Sequence, residues 1–182
     1  MSIRAVICDI YNTLLEVGPP PANAESLWGD LGRQYGLTGS SLSLDGFHEQ
    51  CREAIRHAHA AAKAKGQAFP EVCWPEITAS VLPELAAWPE ERRDEFLFRH
   101  AQLQRSIRPL PGAVETLATL LQQGLILGLC SNCQGYTLHE MRQAFAGTAL
   151  TLDWFHPQLR FLSFQQGYGK PAPAAFHQLR ES

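Results

Sequence analysis

Polar side chains that could do chemistry follow three apolar stretches of the sequence. Asp9 ends IRAVICD, Ser131 and Asn132 end LILGLCSN, and Lys170 follows LRFLSFQ after a short loop. A carboxylate can attack an electrophile and form a covalent intermediate that water then hydrolyses. A nearby lysine favours the ionised carboxylate that this attack requires. A serine hydroxyl can donate a hydrogen bond to charge on the substrate.

Each of these residues also has an ordinary structural explanation. An aspartate at a strand end usually caps a turn, and a Ser-Asn pair is common in turns. A lysine before a proline is usually a solvated surface residue. The three positions together, each at the end of a successive strand, favour a functional site over three unrelated turns.

The elements that must position these residues alternate between strand and helix. IRAVICDI is a continuous apolar run rich in β-branched residues, which is typical of a central strand in a parallel sheet. LPGAVETLATLLQQG has the spacing of an amphipathic helix that ends at Gly124. The later segments predict a strand, a helix, a strand and a helix, in the order LILGLCSN, TLHEMRQAF, LRFLSFQ and PAPAAFHQLRES. This pattern predicts an α/β fold with a Rossmann-like parallel sheet, in which ligands bind beyond the carboxyl ends of the strands.

A long segment between the first and second predicted strands has a different character. FHEQCREAIRHAHAAAKAKG, WPEITASVLPEL and PEERRDEFLFRHAQLQ all predict helices, and Gly66 is placed to end the first of them. We therefore predict a discontinuous core of residues 1–18 and 107–182, with residues 19–106 forming a helical insertion.

Composition limits the classes of function. The chain has 182 residues, of which 45% are hydrophobic, so a sizeable core is expected. Its net charge of -3 argues against a nucleic-acid partner. We expect no membrane partner, because the sequence contains no long apolar run. Five cysteines without the spacing of a disulfide framework predict a reducing, cytoplasmic location.

The motifs and their order resemble the haloacid dehalogenase (HAD) superfamily of hydrolases. VICDIYNTLL is similar to the first motif, with Asp9, Tyr11 and Thr13, while LGLCSN and GYGKPAPAAF supply Ser131 and Lys170 of the second and third. The helical insertion corresponds to the family's helical cap. The resemblance implies that Asp9, Ser131 and Lys170 are catalytic.

The resemblance also implies a set of residues that bind a small anionic substrate. These residues are Tyr11, Asn12, Thr13 and Asn132. The backbone around Tyr11 and Asn12 can donate hydrogen bonds, Thr13 can brace the loop, and Asn132 can help to fix the anionic group. Asn12 stands where the family commonly has glycine.

Tyr11 distinguishes between branches of the superfamily. Its phosphatases have a second aspartate here, which protonates the leaving group and helps to hold Mg²⁺. Tyrosine, with an unperturbed pKa of about 10, is a poor acid at neutral pH. The 2-haloacid dehalogenases have tyrosine, since a halide leaves without a proton and no cofactor is required. The sequence therefore favours a dehalogenase-like hydrolase with a covalent intermediate on Asp9.

Two alternatives remain open. One is a Mg²⁺-dependent phosphatase of the same superfamily, with Asp9 as a metal ligand. The other is a catalytically inactive remnant that binds a small anion or a partner protein.

The dehalogenase branch also has an arginine, shortly after the first motif, that receives the halide. The nearest candidate here is Arg33.

The C-terminal end of the sequence leads to one more expectation. The chain ends at Ser182, twelve residues after Lys170, without the family's fourth motif and its strand. We expect the C-terminal strands of the core to be missing, which would impair activity and leave the first strand with an exposed apolar edge. Such edges favour pairing with another chain, so formation of a homodimer is one way to cover it.

Overall fold

The chain divides into two compact units. The computed structural model describes residues 3–37 and 42–181, without the side chain of Glu181. One unit, here called the core unit, comprises residues 1–18 and 107–182, and the other, the helical unit, comprises residues 19–106. Within the described ranges, no helix has the length and apolar character needed to cross a membrane.

Strands and helices are interspersed in the core unit, whereas residues 24–104 contain successive helices. In chain order the elements are β1 (Ala5–Cys8), β2 (Leu15–Gly18), α1 (Ala24–Tyr35), α2 (Leu44–Ala64), α3 (Trp74–Val81), a 3-10 helix (Pro83–Ala87), α4 (Glu90–Gln104), β3 (Ser106–Pro109), α5 (Ala113–Gln122), β4 (Ile126–Ser131), α6 (Tyr136–Ala144), a 3-10 helix (Leu152–Trp154), β5 (Phe155–Leu162), α7 (Ser163–Gln166) and α8 (Pro173–Glu181). Ser182, the last residue of the predicted final helix, lies outside the described residues.

The main sheet of the core unit has the strand order β1-β4-β5, and all its strands are parallel. Ile7 on β1 lies opposite Gly128 on β4. A Cβ atom at Gly128 would come within 2.5 Å of both the Ile7 Cδ1 atom and the Leu159 carbonyl oxygen. Only glycine therefore allows β1 and β5 to approach β4 this closely.

Helices cover both faces of this sheet. On one face, Leu127 and Leu129 of β4 belong to a buried cluster with Leu117 of α5 and Met141 of α6. On the other face, Cys130 and Phe161 pack against Ala175 and Leu179 of α8. The predicted α/β fold with a parallel sheet is confirmed. The continuous apolar character of β4 follows from its burial on both sides.

A second, two-stranded sheet of β2 and β3 was not predicted from the sequence. Across it, the Arg108 guanidinium donates two hydrogen bonds, of 2.8 and 2.7 Å, to the Glu16 carboxylate. This contact lowers the pKa of Glu16. Each strand is only four residues long, which is too short for a clear alternating pattern in the sequence.

The helical unit is built around an aromatic core. Trp28 of α1 stacks on Phe47 of α2, and both rings lie near His100 of α4, whose side chain is fully buried. The Ser43 hydroxyl accepts a hydrogen bond from the Gly46 amide and caps the start of α2. The predicted end of this helix at Gly66 is confirmed, since that residue has a φ of 86° just after α2.

Candidate active site

A tight loop follows β1 and fixes the residues of the first motif. The carbonyl oxygen of buried Ile10 accepts hydrogen bonds from the amides of Leu14 and Leu15, at 2.8 and 2.9 Å. Asn12 has a φ of 57° and donates its amide to the Leu15 carbonyl at 2.7 Å. Asparagine tolerates this left-handed conformation better than most residues, which explains why it can stand where the family commonly has glycine.

Asp9 and Lys170 form an ion pair at the carboxyl ends of β1 and β4. The Lys170 ammonium donates to Asp9 Oδ2 at 2.7 Å and to the Cys130 carbonyl oxygen at 2.8 Å. The other carboxylate oxygen of Asp9 accepts from the Ile10 amide at 2.8 Å. The Asp9 side chain keeps 41% of its surface exposed, compared with 23% for Lys170. The carboxylate is thus held in a defined position and remains accessible to a substrate.

Asn132 holds the backbone of Lys170 at two points. Its amide nitrogen donates to the Lys170 carbonyl oxygen at 2.9 Å, and its amide oxygen accepts from the Lys170 N–H at 2.6 Å. A Cβ atom on the preceding Gly169 would lie 2.7 Å from the same amide oxygen, so this close approach requires glycine. The structure therefore gives Asn132 a role in positioning Lys170, and the predicted contact with substrate stays a prediction.

Ser131 is the last residue of β4 and is completely buried. Its hydroxyl has no hydrogen-bond partner in residues 3–37 or 42–181. A buried hydroxyl without a partner costs free energy, and such groups often have a functional explanation. Ser131 does not line the cavity that contains Asp9, so its predicted role as a donor to substrate charge stays a prediction.

The Tyr11 hydroxyl contacts two buried polar residues of α6. It lies 2.8 Å from the Thr137 hydroxyl and donates a hydrogen bond to the Glu140 carboxylate, although Glu140 is only 2% exposed. Sequence reasoning missed this contact. The sequence did contain a signal that Glu140 faces the core. Its spacing from Thr137 and Met141 places all three residues on one face of a helix.

A cavity of about 540 Å³ in the core unit contains the ion pair. It is lined by Ile7, Asp9, Cys130, Lys170, Phe176, Leu179 and Arg180. Of the predicted site residues it therefore includes Asp9 and Lys170, whereas Tyr11, Asn12, Thr13, Ser131 and Asn132 lie outside its lining. Thr13 is exposed in the loop after β1.

Among the described residues, Asp9 has few neighbouring side chains that could share a metal ion with it. In the described part of the chain, no three side chains of His, Cys, Asp or Glu come together as a possible set of metal ligands. Asp9 is the only acidic residue among those that line the cavity, and its Oδ2 atom already accepts from Lys170. Mg²⁺ is usually held by only one or two carboxylates together with several water molecules, so this lining does not distinguish a metal-dependent site from a metal-free one.

Arg33, the arginine nearest to the first motif, belongs to the helical unit. Its side chain is 70% exposed and forms an ion pair with Asp30, one turn earlier in α1. Within that unit it has the environment of an ordinary surface arginine.

Comparisons with known proteins give structural neighbours only. No family model matches the chain, and no curated protein does so. The chain is similar to a HAD-family enzyme from Bacteroides thetaiotaomicron in complex with magnesium and inorganic phosphate, with a TM-score of 0.53, 13% identity, and coverage of 99% of this chain and 78% of that chain.

Two L-2-haloacid dehalogenases are also similar in structure. RSc1362 has a TM-score of 0.49 and 20% identity, over 100% of this chain and 73% of that chain. The enzyme from Xanthobacter autotrophicus with chloropropionic acid covalently bound has a TM-score of 0.48 and 20% identity, over 99% of this chain and 64% of that chain. The chain thus spans less than two thirds of the length of this last neighbour. With a TM-score above one half, the similarity shows that the chain shares its fold with this HAD-family enzyme from Bacteroides thetaiotaomicron.

Proposed function

We propose that the protein is a hydrolase of the HAD type that releases halide from a small anionic substrate through a covalent ester on Asp9. The observation that carries this proposal is the ion pair of Asp9 and Lys170, 2.7 Å apart, in a cavity at the carboxyl ends of β1 and β4. A held, accessible carboxylate beside a cation is the arrangement that nucleophilic catalysis by aspartate requires.

The reaction would take place in two steps. An Asp9 carboxylate oxygen attacks the carbon that bears the halogen, so that a C–O bond forms, the carbon–halogen bond breaks, and the halide leaves with its electron pair. Water then attacks the carbonyl carbon of the ester, which releases the hydroxy acid and regenerates the Asp9 carboxylate, with one proton passing to solvent. Lys170 orients Asp9, Asn132 holds Lys170, and the Ser131 hydroxyl is the candidate donor to charge that develops on the ester.

Tyr11 favours halide over phosphate as the leaving group. A halide departs as a stable anion, so the first step needs no acid at the position where the phosphatases have their second aspartate. In this protein the Tyr11 hydroxyl is already engaged by Thr137 and Glu140.

Halide release from 2-chloropropionate tests the proposal. Wild-type protein should release chloride with and without EDTA, and Asp9→Asn should abolish the release. Asp153→Asn, which changes an exposed aspartate outside the cavity of Asp9, should leave it unchanged. Chloride release that EDTA abolishes would contradict the metal-free mechanism.

The two alternatives give different results in the same experiment. A phosphatase would hydrolyse p-nitrophenyl phosphate only with Mg²⁺ and would lose this activity in Asp9→Asn. A non-catalytic protein would show no turnover of either substrate that depends on Asp9.

A further inference from the structure

The cavity that contains Asp9 has a second wall of different chemistry. Asp9 and Lys170 supply its charged side, while α8 supplies apolar side chains and another cation. Residues at positions i, i+3 and i+4 lie on one face of a helix. The lining residues from α8 have this spacing and are Phe176, Leu179 and Arg180.

Arg180 adds a positive charge to the described lining of the cavity. Asp9 and Lys170 compensate each other, because their charged atoms are 2.7 Å apart. Arg180 is exposed and forms no ion pair with another residue whose side chain the structure describes. An arginine in the last turn of a helix is common because it interacts favourably with the helix dipole. Here it also lines the cavity of the proposed nucleophile, where a guanidinium favours an anionic ligand.

Two polar side chains beside the cavity, those of Asn132 and Lys170, are engaged in other contacts. The Asn132 side chain holds the Lys170 backbone, and the Lys170 ammonium is bound to Asp9 and to the Cys130 carbonyl. Arg180 is therefore the cation that remains available in this cavity. A guanidinium can bind a carboxylate through two parallel hydrogen bonds.

Apolar side chains surround the same space. Phe176 is 52% exposed and Ile7 is 37% exposed, and both line the cavity together with Leu179. Single exposed apolar residues are common on protein surfaces, but these three share one cavity. Its volume of about 540 Å³ lies within the range of pockets that hold drug-sized ligands. The cavity volume is several times the molecular volume of a two-carbon acid.

We propose that this cavity binds an aliphatic monocarboxylate of medium chain length, with its carboxylate on Arg180 and its alkyl chain against Ile7, Phe176 and Leu179. The inference rests on the proposed function, since it names the substrate class of the Asp9 site. It adds Arg180 as the residue that selects for the carboxylate and α8 as the element that selects for chain length.

Binding of straight-chain carboxylates without a leaving group tests the inference separately from the chemistry. We would measure acetate, butanoate and hexanoate binding to the full chain by calorimetry. Burying one methylene group raises affinity about fourfold, so the affinity should increase steadily from acetate to hexanoate. Equal affinity for acetate and hexanoate would overturn the proposal.

Two variants with matched controls test the individual residues. Arg180→Gln should weaken hexanoate binding at least about tenfold, because it removes a charge-assisted hydrogen bond. Arg142→Gln, which changes an exposed arginine in the last turn of α6, should not weaken it. Phe176→Ala should reduce the dependence on chain length and leave acetate binding unchanged, whereas Phe69→Ala, at an exposed phenylalanine of the helical unit, should have no effect. Equal hexanoate affinity of Arg180→Gln and Arg142→Gln would overturn the role of Arg180.

The two proposals can fail independently. Binding that depends on chain length, without halide release from any haloacid, would contradict the proposed function and retain the ligand class. Halide release without dependence on chain length or on Arg180 would overturn the present inference alone.

Discussion

Two buried serines follow neighbouring strands of the core unit and differ in their hydrogen bonding. Ser163, directly after β5, donates to the Cys133 carbonyl at 3.1 Å and accepts from the Cys133 amide at 2.9 Å. Ser131, at the end of β4, is equally buried and has no partner among the described residues. A buried hydroxyl that forms no hydrogen bond within the protein does not stabilise the fold, but it can form a hydrogen bond to a ligand.

Replacing each serine by alanine separates these roles. Ser163→Ala should lower the free energy of unfolding by about 1–3 kcal/mol, because it removes both hydrogen bonds between the Ser163 hydroxyl and the buried Cys133 backbone. Ser131→Ala should leave this free energy unchanged or raise it by up to about 1 kcal/mol, while halide release falls. Urea unfolding and halide assays measure both effects. Equal destabilisation by the two substitutions would show that the Ser131 hydroxyl has a structural partner.

The site residues could be found from sequence, but their partners could not. Asp9 and Ser131 lie at the ends of apolar runs and Lys170 follows another one, and this local pattern predicts where the carboxyl ends of parallel strands meet. The hydrogen bonds from Asn132 to Lys170 and from Tyr11 to Glu140 join residues far apart in the chain. No local pattern encodes these tertiary contacts. The same reason explains why Arg180 was not singled out.

At the scale of the elements, β4 is the central strand of its sheet, with β1 and β5 on either side of it. Gly128→Ala would place a Cβ atom 2.5 Å from the Leu159 carbonyl, and a backbone atom cannot easily move away. We expect a loss of about 1–3 kcal/mol in the free energy of unfolding, as is typical of overpacked sites. Gly32→Ala is the control, because no atom lies within 4 Å of the added Cβ. It should stabilise α1 by about 0.5–1 kcal/mol. A Gly128→Ala protein as stable as wild type would show that the strands can separate at low cost.

Helices α2 and α4 of the helical unit meet at a pair of histidines, His48 and His100. The Nε2 atoms of His48 and His100 are 3.0 Å apart, and His100 is fully buried. Burial, with a smaller contribution from His48, lowers the pKa of His100 to about 3. Burial and the nearby Arg52 also lower the pKa of His48, although Asp45 and Glu25 oppose this.

These shifts predict a loss of stability in acid. In the unfolded chain each histidine takes up a proton near pH 6.5, whereas in the folded chain both histidines are protonated only at lower pH. The contribution of the neutral histidines to the free energy of unfolding is therefore full above about pH 6.5 and decreases as the pH falls towards about 3. His100→Gln should reduce this slope in urea unfolding between about pH 7 and pH 4. His57→Gln, at an exposed position on α2, should not change it. An unaltered slope in His100→Gln would rule out His100 as its source.

At the scale of the whole molecule, β1 is the edge of its sheet. No strand among the described residues pairs with its outer side, and Ile3 just before it is 76% exposed. An exposed apolar edge favours pairing with a second chain. The predicted homodimer remains a proposal that this edge supports.

Light scattering during size-exclusion chromatography tests this proposal. The wild-type protein should show a mass that rises with concentration towards that of a dimer, and Ile3→Lys should shift it towards the monomer, because a charge at a strand edge opposes pairing. Phe69→Lys, at an exposed apolar residue of the helical unit, is the control. A monomer at every concentration would contradict edge pairing.

The central claim is that Asp9 forms a covalent ester whose carbonyl carbon is attacked by water. Turnover of 2-chloropropionate in heavy-oxygen water, followed by mass spectrometry of the peptide that contains Asp9, tests it most directly. We predict that the heavy oxygen enters the Asp9 carboxylate during the first turnover and reaches the product only in later turnovers. Heavy oxygen in the product of the first turnover, with none in Asp9, would show that water attacks the substrate directly and would contradict the proposed mechanism.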